Sequence, residues 1–144
     1  MIKFISAPET LPLRKEVLRA NKLDLRDCVF DGDHDENAFH LGYFEKDLLV
    51  SVATFHSQNL SNYGYEGYQL RGMATQEVYR EKGIGNKLLN FAIVYLRGKN
   101  AKYIWCNARQ IAFKFYLSLG FEFISEEFEI PEIGIHRKMY LKIR

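Results

Sequence analysis

Between residues 67 and 98 the hydrophobic period of the chain changes, and this change constrains the fold more than any other feature. Gly67–Thr75 alternates, with Tyr68, Leu70, Gly72 and Ala74 on one face and Gln69, Arg71 and Met73 on the other, which reads as a long strand with one polar face. From Ile84 onward the spacing of Leu88, Leu89, Ala92, Ile93 and Leu96 is that of an amphipathic helix, and Gly98 stands where a C′ glycine would end it. Arg80-Glu81-Lys82-Gly83-Ile84-Gly85 joins the two. A strand that hands over to a helix through a glycine-punctuated turn places the chain among α/β folds.

The other segments extend the pattern. Residues 1–6 read as a short strand, and a helix is expected from about Thr10, its N-cap, through Pro12 to Ala20, with Leu13, Val17 and Leu18 on one face. Residues 24–37 form a polar loop around Asp31-Gly32-Asp33, and 38–45 and 48–55 read as a hairpin whose Lys46-Asp47 turn lacks the favoured glycine. A second loop covers 57–64. After the central helix come a buried-type strand at 103–106, a helix over about 109–119 closed by Gly120, and two terminal strands at 121–129 and 135–143. The sum is a mixed α/β domain with helices over a partly antiparallel sheet.

Composition excludes several functions. With 20 basic and 18 acidic residues interspersed along 144, the net charge of +2 offers no footprint for phosphate-driven nucleic-acid binding. Cys28 and Cys106 stand far apart without CxxC, CxxH or HExxH companions, so no metal site is expected and both read as free thiols of a reducing, cytoplasmic setting. His34 and His40 lack partners at metal-ligand spacing. No apolar run approaches the roughly 18 residues of a membrane span, and the N-terminus has no signal-peptide pattern.

The Arg80–Gly85 turn is a candidate anion cradle. The first N–H groups of a helix have no partners within it, and its dipole places roughly half a positive charge there. Two glycines let the backbone approach a bulky group, and Arg80 and Lys82 add charge. The turn is neither a Walker A loop, since Gly-Lys-Ser/Thr is absent, nor the dinucleotide fingerprint, which would need glycine where Leu88 stands. Two glycines that merely permit a tight turn remain the plain alternative.

Arg80-x-x-Gly83-x-Gly85 after a strand and at the start of a helix resembles the coenzyme A pyrophosphate loop of the GNAT superfamily of N-acetyltransferases. Residues 112–121, Ala-Phe-Lys-Phe-Tyr-Leu-Ser-Leu-Gly-Phe, resemble its A-x-x-F-Y-x-x-x-G-F segment. Leu70-Arg71-Gly72-Met73-Ala74, Ala108-Arg109 and Gly134-x-His136-x-x-Met139 are similar to the ElaA-like branch. The sequence departs from that branch where proline is expected before His136, and from the superfamily at Arg109, where asparagine often stands.

The resemblance implies a GNAT-like fold with a mixed, mostly antiparallel central sheet flanked by helices, as a single domain over residues 1–144. It implies an enzyme that uses acetyl-CoA as cosubstrate and acetylates a primary amine, on a small molecule or a peptide, by direct attack in a ternary complex. Met73, Ala74 and Thr75 would present backbone groups to the pantetheine, a backbone N–H among them polarising the acetyl oxygen, Arg80, Lys82, Gly83, Ile84, Gly85 and Asn86 would hold the pyrophosphate, and Arg109 would stand at a cofactor contact. Tyr116, a phenol protonated below a pKa of about 10, is the candidate acid for the leaving thiolate. His136 is the candidate base and an acceptor-side residue, while Arg71 and Arg14 are candidates for acceptor binding. Each has a plain alternative: a core tyrosine, a structural histidine, an arginine paired with Glu66 or Glu45, a surface arginine. Pairing as a homodimer through a sheet edge is compatible with the resemblance. A non-catalytic acyl-CoA-binding module that acts through a protein partner is the competing reading.

Overall fold

The computed structural model describes residues 1–144. One sheet carries every strand, in the order β1 (Ile2–Ile5), β2 (Phe39–Glu45), β3 (Leu48–Ser57), β4 (Gly67–Thr75), β5 (Tyr103–Arg109), β8 (Gly134–Lys142) and β6 (Glu122–Phe123), with β7 (Phe128–Ile130) also on β8. Only β4 and β5 run parallel; the other pairs are antiparallel. No helix is long and apolar enough to cross a membrane.

The first helix differs from expectation at both ends. α1 (Ala7–Leu13) starts at Ser6, whose N–H and hydroxyl donate to the Glu9 carboxylate at 2.8 and 2.9 Å. Thr10 is no cap; it is buried, and its hydroxyl donates to the Ala7 carbonyl at 2.6 Å. Pro12 has no N–H to continue the ladder, and beyond Leu13 the chain widens into a π-type turn, Arg14–Leu18. The hairpin between β2 and β3 does form, with Lys46 taking the left-handed conformation (φ 57°) that a glycine would take more cheaply.

α2 (Ile84–Gly98) lays Leu88, Leu89, Ala92 and Leu96, none of them exposed, against Leu41, Ala53, Phe55 and Leu70 of the sheet. Each such leucine contributes about 1.5–3 kcal/mol by leaving water. Gly98 lies within the last turn rather than after it, and the left-handed residue that ends the helix is Asn100 (φ 64°). α1 covers the opposite face, where Leu13 packs on Val52 and Ala74.

The alternation read along β4 fails at one point. Val52 pairs with Ala74 and Thr54 with Arg71, so Gly72 and Met73 together oppose Ala53 in a β-bulge. The extra residue reverses the parity of everything beyond it. Tyr68, Leu70 and Met73 therefore pack in the α2 layer, while Ala74 packs against α1. Gly72 has φ 61°, and a Cβ there would come within 2.7 Å of the Phe30 ring, so the bulge requires glycine twice over.

Past α2, strand β5 runs three residues longer than expected because β8 pairs with it as far as Arg109 opposite His136. The following helix is correspondingly short: α3 (Phe113–Ser118), ended by Gly120 at φ 97°. The single strand expected at 121–129 divides into β6 and β7, which pair with opposite ends of β8.

Candidate active site

β4 and β5 pair only at Gly67 with Tyr103, Tyr68 with Ile104 and Gln69 with Trp105. Beyond Gln69 they diverge, and a cleft of about 760 Å³ opens between them, roofed by the start of α2 and by α3. Along this cleft β4 has lost its partner, so its edge is free to pair with an extended ligand.

At one end stands the N-terminus of α2. No backbone or side-chain acceptor takes the N–H groups of Gly83, Ile84, Gly85 or Asn86; the first helical bond runs from the Lys87 N–H to the Gly83 carbonyl. Arg80 arches over the same space, its Nε donating to the Thr75 carbonyl at 3.2 Å. The two glycines have separate reasons. Gly83 adopts φ 79° with open space where a Cβ would point, whereas a Cβ on Gly85 would meet the Phe115 ring at 2.9 Å. Gly85 thus lets α2 and α3 close together, and Gly83 leaves the cradle clear. Unpartnered donors, a helix dipole and a nearby guanidinium fit a pyrophosphate.

Tyr116 lies on the wall facing β5. It is 7% exposed, lines the cleft, and its hydroxyl makes no hydrogen bond within the protein. The cleft is thus lined by a phenol whose hydroxyl has no partner in the protein. Burial pushes its pKa well above the ordinary value, so the phenol is protonated throughout the neutral range.

The chain matches the Acetyltransferase (GNAT) family over residues 7–121. It belongs to the GNAT acetyltransferase family. A Bacillus subtilis (strain 168) protein described as the uncharacterized N-acetyltransferase YitI is 38% identical over 99% of this chain and 96% of its own length. Among solved structures, a putative N-acetyltransferase from Lactobacillus plantarum superposes with TM-score 0.78 at 17% identity, covering 99% of both chains. Escherichia coli ElaA gives 0.75 at 20% identity over 97% of this chain and 99% of its own. An aminoglycoside 6'-N-acetyltransferase complexed with coenzyme A gives 0.74 at 14% identity over 100% and 97%. This GNAT chain is accordingly an acetyl-CoA-dependent acetyltransferase with the expected sheet.

Within the GNAT cleft most of the residues singled out from sequence come together: Arg71, Met73, Thr75, Arg80, Gly83, Ile84, Gly85, Asn86, Arg109, Tyr116 and His136 all line it. His136 on β8 is 3% exposed and stacks on Phe128 with centroids 5.9 Å apart. Its Nδ1 lies 2.8 Å from the Gly134 carbonyl. A carbonyl can only accept, so Nδ1 carries the proton, and Nε2 is the ring nitrogen left without a partner in the protein.

Three expectations change. Arg14 is not an acceptor-binding residue. It is 1% exposed, and its Nη1 and Nη2 donate to the Asp33 carboxylate at 2.6 and 3.2 Å, with further bonds to the Cys28 carbonyl and Thr54. The π-type turn that follows Pro12 rotates it inward, a turn the helical spacing does not announce. Lys82 stands outside the cleft in a neighbouring depression, its Nζ 5.9 Å from the Tyr79 ring centroid. Ala74 is 2% exposed against α1, the bulge having turned its side chain from the face expected for it.

Arg109 reaches the cleft, but its guanidinium donates to the Leu18 carbonyl at 3.2 Å and ties β5 to the first helical layer. Arg71 pairs with neither Glu66 nor Glu45; its guanidinium carbon lies 4.2 Å from the Phe30 ring centroid. Burial drives the Cys106 thiol far up, so it is a neutral packing group. No three His, Cys, Asp or Glu side chains converge as metal ligands. The sequence reading missed Phe30 and Asp33, which sit in a loop with no periodic signal and acquire partners only through the fold.

Gly83→Val is expected to raise the Kd for coenzyme A about tenfold or more, since the left-handed backbone and the open space in front of the helix both exclude a branched side chain. Calorimetric titration of the folded variant checks this, and an unchanged Kd would remove the cradle.

Proposed function

We propose that the cleft binds acetyl-CoA along the free edge of β4 and transfers its acetyl group directly to a primary amine held in the same cleft. The observation that carries this reading is the Tyr116 phenol, protonated, without a hydrogen-bond partner in the protein and part of the cleft lining. The unpartnered N–H groups of Gly83, Ile84, Gly85 and Asn86, with Arg80, hold the pyrophosphate. Backbone groups at Met73, Ala74 and Thr75 align the pantetheine and polarise the acetyl oxygen.

Acetyl-CoA supplies an activated thioester, and three tasks fall to the protein. The amine must be neutral to attack, and His136 Nε2 is the acceptor for its proton, with Nδ1 anchored on the Gly134 carbonyl. The C–N bond forms as the C–S bond breaks, and Tyr116 donates its proton to the departing sulfur. The cleft walls keep the two substrates within attacking distance. The free thiols Cys28 and Cys106 support a cytoplasmic setting.

Thermal unfolding in parallel titrations tests the binding part. Acetyl-CoA and coenzyme A at about 100 times Kd are expected to stabilise the fold by about 2.7 kcal/mol, with ATP and NAD without effect. No shift with either coenzyme at millimolar concentration would overturn the assignment. A shift without thiol release for any amine would instead select a non-catalytic acyl-CoA-binding module.

A further inference from the structure

The end of the cleft away from the α2 N-terminus is walled by cations. Arg71 on β4, Arg19 after the π-type turn and Arg109 on β5 all line it, and Glu81, back in the phosphate loop, is the only acidic residue in the lining. Arg109 is engaged by the Leu18 carbonyl. The guanidinium groups of Arg71 and Arg19 donate no hydrogen bond within the protein and lie within ion-pair distance of no carboxylate. The acid that would serve, Asp33, is already taken by Arg14 and His56. Arg71 is half-buried, and its guanidinium lies against Phe30, so its fork is held in place rather than free to swing into solvent.

We infer that the amine accepted here carries a carboxylate, bound by the Arg71 guanidinium with Arg19 beside it. The inference rests on the acetyltransferase reading above and narrows its substrate class. A partly desolvated guanidinium with no direct ion-pair partner is costly, and a ligand carboxylate offsets that cost with two parallel N–H···O bonds. The apolar neighbours Phe30, Ile130 and Ile133 accept the aliphatic part of such a molecule. A polycationic acceptor would meet only like charge at this end of the cleft. Two free forks suit the single charge and planar oxygens of a carboxylate better than a tetrahedral dianion, which calls for more donors.

The test is thiol release from acetyl-CoA over primary amines of matched length ending in carboxylate, carboxamide, phosphonate or ammonium, repeated with Arg71→Gln and Arg19→Gln. Carboxylates are expected to exceed their carboxamides in kcat/KM by about tenfold or more, the size of a charge-assisted pair, and the ratio should fall to near parity in Arg71→Gln. If Arg71→Gln fails to fold by circular dichroism, Arg19→Gln still tests the site, with an expected drop in the ratio of about threefold. Equal use of carboxylate and carboxamide, or preference for phosphonate or ammonium, overturns the carboxylate and leaves acetyl transfer standing. Absence of thiol release with every amine, while coenzyme A still raises Tm, overturns both.

Discussion

Replacing Tyr116 by Phe is expected to lower kcat about 100-fold or more while changing KM for acetyl-CoA less than about twofold, the signature of a general acid lost from the transition state. The substitution removes one oxygen and keeps the ring that packs at 5.1 and 5.2 Å from Phe115 and Phe121, so the fold has no reason to change. The hydroxyl makes no bond whose loss could act indirectly. Because burial raises the phenol's pKa well above its usual value, Tyr116 stays protonated as pH rises through the neutral range, and any basic limb in that range belongs to another group. Steady-state thiol release with wild type and variant reads the effect directly. A kcat within threefold of wild type would remove Tyr116 from the chemistry.

Asp33→Ala is expected to cost about 3–5 kcal/mol of stability, measured by urea unfolding, because it strands a buried guanidinium. Asp33 accepts from Arg14 at 2.6 and 3.2 Å, from His56 Nε2 at 3.0 Å and from the Phe30 N–H at 2.9 Å. Arg14 Nε already lacks a partner, so the cation has little to fall back on. Burial by itself would raise the Asp33 pKa, but the bonds from His56, Arg14 and Phe30 outweigh it and hold the carboxyl well below the usual range. Its contribution is therefore present above the unfolded value of about 4 and is lost as pH falls below it. His40, whose pKa burial lowers, acts in the same direction from about 6.5 downward. A loss under about 1 kcal/mol would show that this network does not hold the loop that carries Phe30.

What could be read from the sequence is local in character. The switch of period across Arg80–Gly85 announces both β4 and α2, and the two glycines at 83 and 85 announce a tight turn between them, since both signals depend on neighbours a few residues apart. Arg14 is misread because its partners, Asp33 and Thr54, lie far along the chain and no spacing rule links them. Ala74 is misread because a bulge adds one residue to β4 and leaves no mark beyond Gly72, and a lone strand glycine serves a close backbone approach as readily as a bulge. The length of β5 depends on β8, which arrives 25 residues later. Arg71 is recognisable as a polar intrusion in an apolar strand, but its lack of a direct ion-pair partner emerges only in three dimensions.

The short seam between β4 and β5 has a consequence for the life of the protein in a cell. Strands β1 to β4 form one ladder and β5 to β8 another, bridged by a few backbone pairs at the end away from the cleft mouth and by the shared side-chain core. Halves joined so narrowly can part locally at less cost than a continuous sheet, and a parted form is what proteases degrade. A substrate bound along the gap, in the mode proposed above, would supply the missing rungs and close that route. Abundance of the enzyme would then follow the supply of its own acyl donor, with scarcity shortening its lifetime before any change in its synthesis.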